Sequence, residues 1–267
     1  MKDKAIQLLK GYTGKGRIYL AQRGNKALQV SLRISAALGK KKCVVPDQGG
    51  WITYLQYPEQ MKMELVKFPT NDGIAIPDML SRELDESAVV IITSFAGYFA
   101  EQPMGLIYSI AKQKNALLIN DASGSIGTEA AKIGDIIVGS FGEGKPVNLG
   151  YGGFIAFDNI KVEDSMFDSL TFDLGYTDRL ATRLGALPDK LKMYERHRIK
   201  IIADLSGMEV IHPSRRGINC VVAFKDDAER ERIINYCGKN DYSFTECPRY
   251  IRVNRDAISI EVKRLEK

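Results

Sequence analysis

Ile136-Ile137-Val138-Gly139-Ser140-Phe141-Gly142-Glu143-Gly144-Lys145-Pro146 carries an apolar run into a glycine-rich turn that ends on a lysine. An earlier run, Ala116-Leu117-Leu118-Ile119-Asn120-Asp121, ends on an aspartate. Short continuous apolar runs bounded by turn residues suit strands buried on both faces, as in a parallel sheet. Outward from this pair the same pattern recurs, and it predicts strands over residues 42–46, 64–68, 89–94, 116–121, 135–140 and 153–157. Helical patterns fall between them, over 26–38, 77–85, 104–114 and a long stretch within 178–205. Pro77-Asp78 places a proline in a first helical turn, with an acidic residue that suits the helix dipole. Ile107, Ile110 and Ala111 share one helix face. Strands alternating with helices mean βαβ units, so the expected fold is α/β with a mostly parallel sheet.

The tail changes character after Pro213-Ser214-Arg215-Arg216-Gly217. A strand over 218–224, a helix over 227–238 and short strands over 242–246, 250–253 and 258–262 are expected. Such a unit is too small to bury much surface alone. The domain reading is therefore a large α/β domain over residues 1–175, then a long helix and a small α+β domain over 176–267.

The chain has 267 residues, with 45% hydrophobic and 27% charged residues, an ordinary globular composition. Its net charge is +5, with basic residues scattered apart from Lys40-Lys41-Lys42 and Arg215-Arg216. That distribution argues against nucleic-acid binding. Cys43, Cys220, Cys237 and Cys247 form no Cys-x-x-Cys pair, and His197 and His212 are the only histidines, so no metal site is expected. The cysteines sit in apolar stretches, as buried free thiols do in a reducing compartment. No apolar run is long enough to span a bilayer, and Met1-Lys2-Asp3-Lys4 lacks an apolar signal core. A cytoplasmic protein without membrane partners is the expectation.

In open α/β sheets ligands bind beyond the carboxyl ends of the strands. Arg23-Gly24-Asn25, Asp47-Gln48-Gly49-Gly50-Trp51, Ser94-Phe95-Ala96-Gly97, Asp121-Ala122-Ser123-Gly124 and the turn from Ser140 to Lys145 all follow such ends. Gly24 and Asn25 open a helix, where N–H groups and the dipole favour a phosphate. Ser140 can add a hydroxyl, Ser123 sits beside Asp121, and Trp51 can stack on a planar ring. Each residue also has an ordinary explanation: an exposed loop lysine, a turn-capping aspartate, a core tryptophan.

Taken together they resemble the fold-type-I enzymes of pyridoxal 5'-phosphate (PLP), most closely the DegT/DnrJ/EryC1/StrS aminotransferase family. The resemblance spans roughly residues 23–157 and rests on Ile119-Asn120-Asp121-Ala122-Ser123-Gly124, on Ser140-Phe141 followed by three residues and Lys145, and on Gly150-Tyr151-Gly152-Gly153-Phe154. It implies that Lys145 holds PLP as an imine and Asp121 keeps the pyridinium nitrogen protonated. It implies a phosphate cup at Ser140, Gly24 and Asn25, and a homodimer acting on a small amino donor and acceptor. Transamination is the implied outcome, with elimination or racemisation left open. Two departures stand out. Gly124 replaces a glutamine of the family pattern, and the C-terminal domain is reduced. Arg249-Tyr250-Ile251-Arg252-Val253 is similar instead to an Ile-Arg-Ile/Val element of amino-acid aminotransferases, which makes Arg252 the candidate for a substrate carboxylate.

Two other readings use the same residues. Gly139 to Lys145 fits Gly-x4-Gly-Lys, a nucleotide phosphate loop, although Pro146 stands where Ser or Thr should hold magnesium. A non-catalytic binding protein on the PLP fold is the other.

Overall fold

The computed structural model describes residues 2–265. Seven strands, β1 (Arg17–Ala21), β2 (Lys42–Pro46), β3 (Glu64–Phe68), β4 (Ala88–Thr93), β5 (Leu117–Asp121), β6 (Ile136–Ser140) and β7 (Gly153–Phe157), form one sheet. Their order is β1-β7-β6-β5-β4-β2-β3. Only β7 runs against its neighbours; the pairs β6·β5, β5·β4, β4·β2 and β2·β3 are parallel. The register sets Asp121 beside both Thr93 and Val138. The loops after β4, β5 and β6 therefore leave the sheet along one carboxyl edge.

The apolar runs are continuous because both faces of the sheet are covered. Val89, Ile91, Ile119, Ile136 and Val138 pack beneath α2 (Gly24–Ala37) and α3 (Thr53–Gln60). On the other face Val90, Ile92 and Leu118 meet α4 (Pro77–Glu83) and α5 (Met104–Gln113). The same face, under β1, β6 and β7, meets α6 (Thr177–Gly185) and the N-terminal α1 (Lys2–Thr13). Alternate residues of one strand thus enter opposite cores, the period-two geometry of a strand.

The long helix expected within 178–205 is two helices, α6 and α7 (Leu187–Asp204), joined at Ala186. Pro188 lies in the first turn of α7. It has no N–H for the carbonyl four residues earlier, and its ring would clash with that carbonyl, so the helix breaks there.

A second sheet holds β8 (Glu209–Val210), β9 (Cys220–Ala223), β10 (Phe244–Cys247) and β11 (Ala257–Ile260) in the order β8-β9-β11-β10, all antiparallel. Helix α8 (Asp227–Lys239) and α7 pack on it through Ile233, Cys237, Tyr194 and Ile201. The strand expected over 250–253 is a turn. Arg252 N–H bonds to Arg249 O at 2.8 Å, Arg249 N–H bonds to Val253 O at 2.7 Å, and Gly49 N–H bonds to Tyr250 O at 2.7 Å. These bonds fold the segment back on itself and tie it to the loop after β2, so it does not extend along a ladder. All four cysteines are free and buried, as expected. No helix among the described residues is long and apolar enough to cross a membrane.

The two sheets meet along the loop that follows β4. Ile218 and Asn219 N–H groups both bond to Tyr98 O, at 2.8 and 3.0 Å, and Glu101 N–H bonds to Arg216 O at 2.7 Å. A Cβ on Gly217 would lie 2.2 Å from the Phe99 carbonyl oxygen. That obstacle is backbone and cannot rotate away. Gly217→Ala is expected to cost about 1–3 kcal/mol, the range for forced overpacking. Urea unfolding should show a lowered midpoint at unchanged m-value; an unchanged midpoint would contradict this account of the junction.

Candidate active site

The carboxyl edge of the sheet opens into a narrow cleft of about 360 Å³, its mouth included. Lys145, Asp121, Ser140, Ser123, Gly24, Asn25 and Trp51 all line it, so the structure brings together every residue that the sequence proposed for a cofactor.

The floor is built by backbone contact. A Cβ on Gly24 would lie 2.6 Å from Ser140 Cβ, and one on Gly153 would lie 2.6 Å from both Gly139 O and Gly24 N. Only glycines let the first turn of α2 settle against the end of β6. The result is a fourteen-residue helix whose N-terminus faces the cleft beside a serine hydroxyl. Ser140 Oγ accepts from Gly142 N–H at 3.1 Å and can still donate its own proton. Ser123 Oγ accepts from Ser140 N–H at 2.9 Å, so its hydroxyl braces the cup from behind.

Asp121 ends β5 with its carboxylate fixed on both oxygens. Tyr54 Oη donates to Oδ2 at 2.6 Å and Ser123 N–H donates to Oδ1 at 2.9 Å. Tyr54 is fully buried on α3. Burial first, then the Asp121 charge and hydrogen bond, push its phenol well above the usual range. It is therefore a permanent donor. Asn25 Oδ1 accepts from Trp51 Nε1 at 2.9 Å, which sets the face of the indole. Asn25 thus gives its side-chain oxygen to Trp51, which leaves its donors, the backbone N–H and the side-chain amide NH2, for an anion.

Lys145 ends a tight turn in which its N–H bonds to Gly142 O at 3.3 Å and Gly144 takes φ 65°. The side chain is half-buried, and its amine end lies 4.7 Å from the Trp51 ring centre and 4.4 Å from that of Tyr98. The amine also donates to Tyr98 Oη. Desolvation pulls its pKa down to about 8 against the opposing pull of Asp121, with Arg252 adding to the fall. A sizeable neutral fraction then exists near neutral pH, as an amine nucleophile requires.

A wider outer cleft opens from the same lysine, lined by Glu143, Arg252, Lys263 and Arg264 among others. Arg252 is only 3% exposed, not set outward as an alternating strand would place it. Its Nε donates to Glu261 Oε1 at 2.9 Å and its Nη2 to Glu261 Oε2 at 2.8 Å, while Nη1 donates to Ile251 O at 2.7 Å. Those bonds use three of its five N–H groups. Glu261 also accepts from Lys263, Asn219 and Ser259, at 2.8, 3.1 and 3.0 Å. Burial alone would raise the Glu261 pKa; Arg252 and Lys263 outweigh it and hold the carboxyl at about 2. Lys263 is drawn down to about 8 by burial, despite Glu261.

The nucleotide phosphate-loop reading does not hold. Residues after Lys145 form turns and then enter β7, with no helix whose N-terminus could take a phosphate there. The donor set fits PLP instead: a helix N-terminus and hydroxyl for a phosphate, a fixed carboxylate for a ring nitrogen, a flat indole and a partly neutral lysine. Tyr54, Tyr98 and Glu261 escaped the sequence reading. Tyr98 directly follows Ser94-Phe95-Ala96-Gly97, a segment already marked as a strand end. Tyr54 and Glu261 carry no local signal, since their partners lie far away in sequence.

Residues 7–206 match the DegT/DnrJ/EryC1/StrS aminotransferase family, and residues 192–267 match the MJ1341 family C-terminal domain. No curated protein sequence matches the chain. The crystal structure of 3-amino-5-hydroxybenzoic acid (AHBA) synthase superposes with a TM-score of 0.74 at 13% identity, over 99% of this chain and 87% of that one. A putative sugar aminotransferase from Streptococcus pneumoniae in its PMP form gives 0.73 at 13% identity, over 97% and 85%. Serine palmitoyltransferase from Sphingomonas wittichii gives 0.72 at 16% identity, over 97% and 70%. At such identities the likeness is one of fold.

Replacing Glu261 tests the buried charge cluster. Glu261→Gln leaves Arg252 and Lys263 without their countercharge and should cost about 3–5 kcal/mol. The wild-type carboxyl is depressed, so its contribution is present above pH 4.5 and lost as pH falls through about 2. Urea stability measured from pH 6 to pH 2 should therefore converge for the two proteins at the acid end. Parallel curves would remove Glu261 from the explanation.

Proposed function

The chain belongs to the DegT/DnrJ/EryC1/StrS aminotransferase family of PLP-dependent enzymes, and on that premise we propose that Lys145 is the amine that carries the cofactor here. The observation that supports this most is the enclosure of the Lys145 amine, drawn down to about 8, in the same cleft as the fixed Asp121 carboxylate. When bound, PLP supplies an aldehyde that condenses with amines and an electron-poor ring that draws charge from a substrate carbon.

The residues divide the work. Lys145 Nζ would hold the cofactor, and as a free amine it would serve as the base for the substrate α-carbon proton. Asp121 holds a proton on the ring nitrogen, and Tyr54 with Ser123 N–H keeps that carboxylate aimed. Ser140 and the N–H groups of Gly24 and Asn25 take the phosphate, where the helix dipole favours an anion. Trp51 covers a ring face and excludes water. Arg252, Lys263 and Arg264 give the outer cleft a positive wall that suits a carboxylate-bearing amino donor. Arg252 serves there with the N–H groups left over from Glu261. The homodimer implied by the family would add burial to a reduced small domain, and light scattering at micromolar concentration tests it: a holoprotein that stays monomeric rules it out. The four free buried thiols support a cytoplasmic setting.

Borohydride reduction of the PLP-loaded protein, followed by peptide mass mapping, should place a pyridoxyl group on Lys145. A label on another lysine overturns the assignment. In Asp121→Ala the label should persist while turnover falls about 10²–10³-fold, since the lost charge acts mainly on the chemical step. Normal turnover in that variant would exclude the ring-nitrogen role.

A further inference from the structure

We propose that Tyr98 is the positioning residue of the Lys145 amine: its hydroxyl holds the ammonium form in place and so sets the pH at which Lys145 becomes a nucleophile. The inference rests on the reading of Lys145 as the reacting amine.

Four observations converge on Tyr98. Its backbone takes φ 71°, the left-handed region that side-chain-bearing residues rarely adopt. Its carbonyl accepts two N–H bonds, from Ile218 and Asn219, so the small domain holds that conformation in place. Its ring lies against Gly124, where a Cβ would come within 2.7 Å of Tyr98 Cδ1. The glycine that departs from the family pattern is thus the space that the ring requires. Finally, the ring face meets three cations, with Lys145 at 4.4 Å and Arg252 and Lys263 at 5.1 Å from its centre, and the hydroxyl accepts from Lys145 Nζ.

Burial and then Asp121 push the Tyr98 phenol up, so it stays neutral and cannot itself discharge the ammonium. Its influence is a hydrogen bond. The charge-assisted bond from an ammonium is stronger than the bond to a neutral amine, so the hydroxyl favours the charged form of Lys145. The other groups that act on the amine are Asp121 and Glu261, which raise its pKa, and Arg252, Arg264 and Lys263, which carry like charge. Of the two neutral groups beside the amine, Trp51 offers only its ring, whereas Tyr98 offers a hydroxyl that accepts from it.

Tyr98→Phe keeps the ring, its fit on Gly124 and its cation contacts, and removes only the hydroxyl. Gly124→Ala keeps the hydroxyl and displaces the ring. Competitive acetylation of the full chain with acetic anhydride across pH 6–10, mapped by mass spectrometry, reads the Lys145 titration directly. Tyr98→Phe should move that titration down by roughly half to one pH unit. Gly124→Ala should move it the same way, and the double variant no further than either single one. Lys112, remote in the fold, serves as the internal control and should not move. A Tyr98→Phe titration that overlays the wild type overturns the proposal, whatever Gly124→Ala does. Wild-type borohydride labelling separates the two hypotheses. A pyridoxyl group on Lys145 with an unmoved Tyr98→Phe titration sinks Tyr98 alone, and no label on Lys145 sinks the premise.

Discussion

The Glu261 carboxylate, wholly withdrawn from solvent, is the charge on which the site depends. It accepts from Ser259 and Lys263, which flank it on its own segment, and from Arg252 and Asn219, which come from elsewhere in the small domain. A carboxylate without partners could not remain ionised at that depth. Two cations without it would both press on Lys145 and on each other. With Glu261 in place, Arg252 and Lys263 can stand against the Tyr98 ring, and the lysine amine keeps a pKa near 8 rather than falling further. One buried anion therefore ties separate parts of the small domain together and sets the electrostatic background of the Lys145 amine.

The sheet was legible because its signal is local. Strands buried on both faces need continuous apolar residues, so Lys42–Pro46, Ala88–Thr93 and Gly153–Phe157 fall where the runs fall. The residues lining the cleft were legible for a related reason: ligands sit beyond strand ends, Asp121 and Ser140 end strands, and Lys145 lies in the turn that follows. Elements outside that logic were missed. Strand β1 is a half-buried edge paired only with β7, and α3 is eight residues long with Pro58 inside it, so neither carries a clear period. Residues 250–253 show the opposite failure. Ile251-Arg252-Val253 alternates like a strand, yet Arg252 and Val253 are both buried because a turn, not a pleat, orients them.

Side-chain partnerships were not legible at all. Tyr54 reaches Asp121 across 67 residues, and Asn219 reaches Glu261 across 42. Nothing in the composition of either neighbourhood announces the other end. Gly124 is the instructive case. By itself it is a departure from the family pattern, a glycine in the place of a glutamine. Read beside Tyr98, it is a steric allowance: the ring occupies the volume that any side chain at 124 would claim.

The division between the two family matches coincides with a division of labour in the cleft. Gly24, Trp51, Asp121, Ser140 and Lys145 lie within residues 7–206, while Arg252, Lys263 and Arg264 lie within residues 192–267. Under the function proposed for Lys145, cofactor chemistry would ask for one arrangement of phosphate cup, carboxylate and lysine, which would keep the first set in the family order. The outer wall has no such obligation and answers only to what must enter. A different small domain can therefore be seated on the same sheet, provided that it meets the loop after β4 without disturbing the lysine. That condition is met through backbone, by Gly217 against Phe99 and by two N–H groups on the Tyr98 carbonyl. The contact fixing the domains is also the contact that turns Tyr98 toward Lys145, so any change in how the small domain sits must register at the Lys145 amine.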